Sequence, residues 1–113
     1  MEFEVREEGN ICLIKLKGRL VSGEPVKQFQ AAYQPSLANG HPFLVLDLEQ
    51  APYIDSSGIG AIVNALNESR KLGGSTKLLK PAPFVENMLK LTNLLTLFGV
   101  FGTEAEAIAA CGR

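Results

Sequence analysis

Two cysteines, one histidine, a near-cancelling charge and no long apolar run mark this 113-residue chain, and each scarcity removes a class of function. Cys12 and Cys111 lie near opposite ends of the chain. They lack the close spacing of a metal site or a disulfide framework and read as two thiols of a reducing compartment. The single histidine, His41, falls in the turn-like "NGHP" and reads as a solvated loop residue, which leaves any serine nucleophile without a base. Eleven Lys and Arg against twelve Asp and Glu give a formal net charge of -1, without the basic footprint of a nucleic-acid binder. No segment approaches the roughly 18 apolar residues of a membrane span. The opening "MEFEVREEGN" alternates charged and apolar residues instead of joining a basic start to an apolar stretch, so no secretory signal is expected. The sequence thus predicts a cytoplasmic protein with no membrane insertion, no direct nucleic-acid contact, no metal and no cofactor.

What the chain does have is enough apolar residue for a core, 46% by count, in a length suited to one domain over residues 1–113. In "FEVREEGNICLIKLKG", Phe3 and Val5 alternate with charges, Gly9-Asn10 supplies a turn, and Cys12, Ile14 and Leu16 share a face, which predicts a hairpin. Val26, Phe29, Ala32, Tyr33 and Leu37 recur at helical steps from Pro25 to about Ala38, with Pro35 expected to kink or shorten that helix. "FLVLDLE" reads as a central strand covered on both faces. Ile59, Ile62, Val63 and Leu66 then form a helical stripe that Gly73-Gly74 should end.

"STKLLKP" predicts a further strand, Phe84, Val85, Met88, Leu89 and Leu91 a further helix, and "LTLFGVF" a last strand. "TEAEAIAACG" reads as a last helix, with Thr103 and Glu106 forming a capping box. The expected fold is α/β, one mixed sheet of about five strands, opened by a hairpin and parallel in its centre, with about four helices packed mainly on one face.

The corner "APYIDSSGIGAIVNAL" carries the chemistry. If the strand ends near Glu49 and the helix begins near Ser56, the loop between them lies at the carboxyl end of a central strand, the edge where α/β sheets place ligand sites. Asp55 or Ser56 can cap the helix through the amides of Ser57, Gly58 or Ile59. A helix start alone accounts for one polar residue, not for three in a row followed by Gly58 and Gly60, which weaken a helix by up to about 1 kcal/mol each. Enzyme readings fail on the same residues. A hydrolase elbow needs Gly-x-Ser-x-Gly, a phosphate-binding loop needs Gly-Lys-Ser or Gly-Lys-Thr, and "GIGAIV" places Val63 where a dinucleotide fingerprint needs a small residue. No catalytic residue is assigned. A hydroxyl at a helix N-terminus without a base is instead an acceptor for chemistry performed by another protein, and a phosphate on it would sit at the positive end of the helix dipole.

"LVLDLEQAPYIDSSGIGAIVNAL" resembles the signature of the STAS family, the domain shared by sulphate transporters and bacterial anti-sigma factor antagonists. The likeness is most specific over residues 43–72, and the element order agrees along essentially the whole chain. It implies that Ser56, directly after Asp55, is the serine that an anti-sigma factor serine kinase phosphorylates. The unmodified protein would bind that kinase and free its sigma factor, and a serine phosphatase would restore the unmodified form. It also implies a partner surface of Asp55, Ser57, Gly58, Ile59 and Gly60 together with Arg19, Val21 and Ser22 from the loop after the second strand. There this chain reads "GRLVSGEP", with Val21 where many antagonists carry an acidic or hydroxyl residue. The competing reading is a constitutive assembly subunit, either a stressosome scaffold or an accessory subunit of a lipid-transporting ABC complex.

Overall fold

The computed structural model describes residues 1–111. Strands β1 (Glu2–Glu8) and β2 (Ile11–Lys17) form the hairpin, followed by α1 (Glu24–Ala38), β3 (Phe43–Gln50), α2 (Ser56–Lys71), β4 (Ser75–Leu79), α3 (Pro83–Leu91), α4 (Leu95–Phe98), β5 (Val100–Phe101) and α5 (Glu104–Ala110). The five strands form one sheet in the order β1-β2-β3-β4-β5. Only the β1–β2 pair is antiparallel. Gly9, at φ 60, makes the hairpin turn in a conformation that costs glycine little.

Because the sheet grows in one direction, right-handed crossovers put α1, α2 and α3 on the same face. The larger core lies there: Cys12, Ile14 and Leu16 of β2 and Leu44, Leu46 and Leu48 of β3 meet Phe29 and Tyr33 of α1, Ile62 and Leu66 of α2, and Leu89 of α3. The opposite face is smaller, with Ile11, Leu13, Val45 and Leu79 covered in part by Ala107 and Cys111 at α5. The pattern of β3, buried at Leu44, Val45 and Leu46 in succession, follows from apolar cover on both sides. Both cysteines are buried: Ser36 Oγ donates to Cys12 Sγ at 3.1 Å, and Cys111 Sγ donates to the Ala107 carbonyl at 3.3 Å.

The helix α1 reaches Ala38, where its spacing predicts the end, and Pro35 inside it does not shorten it. So close to the C-terminus the missing proline N–H removes a single ladder bond, and the Pro35 carbonyl still accepts from Asn39 at 3.0 Å. The segment "LTLFGVF" is not one strand. Its first four residues make α4, which buries Phe98 completely on the helical side. Gly99, at φ 76, then redirects the chain into the two-residue edge strand β5. The last helix starts as expected, with the Thr103 hydroxyl accepting from the Glu106 amide at 3.2 Å; the Gly112 assigned to its end lies outside the described residues.

Candidate functional site

Strands β2, β3 and β4 run parallel and adjacent, so the loops that follow them, residues 18–23, 51–55 and 80–82, share one edge of the sheet. The first two loops are joined. Leu20 and Ile54 form an isolated parallel bridge. The Leu20 amide donates to the Tyr53 carbonyl at 3.0 Å, and the Asp55 amide donates to the Leu20 carbonyl at 3.3 Å.

Asp55 is the N-cap of α2 and also the clip between the loops. Its Oδ1 accepts from the Gly58 amide at 2.8 Å and its Oδ2 from the Ser22 amide at 3.0 Å. These contacts favour the ionised form, and the bond from Ser22, followed by that from Gly58, holds the Asp55 carboxyl below its ordinary range. A carboxyl depressed in the folded state stabilises the fold above its unfolded pKa, about 3.9, and loses that contribution as pH falls through the folded value. The clip is therefore intact at neutral pH and opens as pH falls below the ordinary carboxylate range. In an NMR acid titration, the Ser22 and Gly58 amides are expected to move together with a midpoint below 3.9; independent movement, or a midpoint at or above the free value, would count against the clip.

The backbone amides that hold Asp55 also lower the basicity of its carboxylate, which makes it a poor base toward the neighbouring serine. Ser56 is the first residue of α2, exposed, and its hydroxyl has no hydrogen-bond partner among the described residues. Ser57 is likewise exposed. The first turn of α2 contains no acidic residue and the last contains Arg70 and Lys71, so its charges complement the dipole and leave the N-terminus open to an anion. His41 lies at the opposite end of the parallel strands, its Nδ1 2.7 Å from the Gly9 carbonyl oxygen and its Nε2 3.5 Å from Glu7. Among the described residues no cluster of His, Cys, Asp and Glu is arranged to hold a metal, and no helix is long and apolar enough to cross a membrane.

The residues expected on a partner surface do not all reach it. Arg19, Ser22, Ser56, Ser57 and Gly60 are exposed, while Val21 and Asp55 are half-buried. Gly58 and Ile59 point the other way. Ile59 packs in the main core, and a Cβ added to Gly58 would lie 2.2 Å from the Leu20 carbonyl oxygen and 2.7 Å from Ile54 Cγ1. Gly58 therefore admits the β2–α1 loop against α2 and is not bared for a partner, whereas a Cβ at Gly60 meets nothing within 4 Å. Sequence reasoning also passed over the pairing of Tyr53 with Phe84. The Arg19 guanidinium lies 4.6 Å from the Tyr53 ring centroid, and Tyr53 stacks on Phe84 at 5.0 Å with planes 17° apart.

The STAS domain family matches residues 2–107. The chain belongs to the STAS family. Candidate anti-sigma factor antagonists of Thermotoga neapolitana and Thermotoga maritima are 35% and 36% identical to it over 72 and 77 residues. Those stretches span 64% of both chains in the first case and 68% of both in the second. Among solved structures, the anti-sigma factor antagonist SpoIIAA in its unphosphorylated form superposes with a TM-score of 0.81 at 27% identity, over 95% of this chain and 93% of SpoIIAA. Bacillus SpoIIAA in its phosphorylated form shares the fold with a TM-score of 0.77 at 24% identity, over 96% of this chain and 97% of that one. The mixed five-stranded sheet with its N-terminal hairpin is thus a STAS fold.

Proposed function

We propose that this protein is a cytoplasmic anti-sigma factor antagonist, acting as one STAS domain over residues 1–113 and performing no chemistry of its own. Unphosphorylated, it binds an anti-sigma factor serine kinase and frees the sigma factor. Phosphorylation of Ser56 by that kinase releases it, and a serine phosphatase resets it. Ser56, Ser57 and Gly60 of the α2 start and Arg19, Val21 and Ser22 of the adjoining loop form the contact surface, with Asp55 holding the two segments in register.

The observation that carries this reading is the state of Ser56. It is an exposed hydroxyl at the N-terminus of a sixteen-residue helix, without a hydrogen-bond partner among the described residues, beside a carboxylate whose basicity two backbone amides lower. Such a hydroxyl is not needed as a cap and has no base to make it a nucleophile, but an external kinase can reach it. The relatives agree with the reading, being anti-sigma factor antagonists by name, and SpoIIAA exists in both phosphorylation states.

The test is phosphorylation of the purified chain by the anti-sigma factor serine kinase of the same organism with ATP, read by mass spectrometry. One phosphate on Ser56, and none on Ser56→Ala, is the expected result. Modification at Ser57 alone would move the switch off Ser56, and a stable complex indifferent to ATP would replace the switch by a constitutive assembly role.

A further inference from the structure

Arg19, Tyr53 and Phe84 come from three different segments, following β2, β3 and β4, yet meet at the edge that carries Ser56. Neither ring packs into the core clusters, and Phe84 is 42% exposed. The Arg19 guanidinium is exposed and has no carboxylate within 4.0 Å among the described residues.

Phe84 is exposed and Tyr53 half-buried, so their stack presents an apolar face directly beside a charged group, the mixed surface that contact sites use. Arginine and tyrosine are also the residue types over-represented among those that dominate binding energies. Stacking holds the three side chains in place before any encounter, so little of their freedom remains to be lost on association. The unmatched positive charge selects the chemistry of what docks, because juxtaposing it with a like charge is costly and with an opposite one is favourable.

We infer that Arg19, Tyr53 and Phe84 form the anchor of the partner contact, a ledge that receives an acidic side chain against Arg19 and an adjacent apolar one against Phe84, both from the anti-sigma factor. The inference rests on the function proposed above and extends its contact surface from the β2–α1 loop and α2 across to α3. The ledge lies outside the serine, so it governs which partner binds, whereas Ser56 governs when.

Calorimetric titration of the unphosphorylated chain with its purified anti-sigma factor tests this. Phe84→Ala is expected to weaken binding by about 30-fold and Arg19→Ala by about 10-fold, with a shallower salt dependence for the latter. Arg19→Glu should weaken it further. Leu91→Ala, at the far end of α3 where the side chain is 70% exposed, should change nothing, and all four variants should melt with the wild type. In the wild-type chain, independent of any substitution, the Phe84 ring resonances should shift when the anti-sigma factor is added. Unchanged rings, or equal affinity of Phe84→Ala beside normal wild-type binding, would overturn the ledge and leave the antagonist function standing. Tolerance of Arg19→Glu would overturn the acidic counterpart. A wild-type chain that binds no anti-sigma factor would remove the function and the ledge with it.

Discussion

Phosphorylated Ser56, or the Ser56→Glu variant, is expected to lose affinity for the anti-sigma factor by roughly 30-fold to several thousand-fold while unfolding at nearly the wild-type temperature. The two effects separate because the same charge meets two environments. In the free protein, the phosphate adds about -1.5 to -2 charge at the start of α2, where the dipole contributes a favourable term of only about 0.3 to 1 kcal/mol and the Asp55 carboxylate next to it opposes that gain. Ser56 is exposed, and among the described residues its hydroxyl makes no hydrogen bond that a phosphate would break. In a complex, the group must leave water against a surface shaped for a hydroxyl. A charge buried there without a partner costs on the order of 2 to 5 kcal/mol. Ser56→Ala should bind as the unmodified chain does and resist the kinase. Titration of the three forms, paired with thermal melts, reads both halves; equal affinities would reduce Ser56 to an ordinary helix-start residue.

A large loss of stability is expected on substitution of Gly58. A valine there would drive its Cβ into the Leu20 carbonyl oxygen at 2.2 Å, and a backbone atom cannot swing aside as a side-chain tip can. Overpacking of this kind costs about 3 kcal/mol, a fall of roughly 10 to 20 °C in melting temperature for a domain of this size. The damage would also reach the site, since displacing Leu20 pulls on the Ser22 amide that Asp55 holds at 3.0 Å. Gly60→Ala provides the contrast. It adds a methyl group in open space and removes a helix-weakening residue, so the chain should gain up to about 1 kcal/mol. A melt in which Gly58→Val matches Gly60→Ala would show that the loop can retreat from α2 without penalty.

That pair shows where the sequence was legible and where it was not. Alternation and helical spacing located β1, β2, α1, β3 and α2, and the polar triplet before "GIG" located the corner, because these signals are local and repeat along the chain. The roles of the two glycines are not local. Gly58 and Gly60 look alike in sequence, and only the return of Leu20 beside Ile54 makes one a packing requirement and leaves the other free. The misread "LTLFGVF" has a similar cause. Four residues are too few to carry a period, and tertiary burial of Phe98 decided between helix and strand. The pairing of Tyr53 with Phe84, which the sequence marks only as a helix residue, escaped notice for the same reason: about thirty positions of chain separate residues that the parallel strands deliver to one edge.

The sheet has two open borders, and each is guarded in its own way. Strand β5 has only two residues, too few to template a further strand. Strand β1 is long enough at seven residues, but four of them are glutamates and the strand is exposed along nearly its whole length. Charged side chains along a border discourage the in-line pairing by which sheets of separate molecules fuse. For the antagonist proposed above, which would exchange one partner for another, the acidic border of the hairpin would keep self-recognition from competing with that exchange.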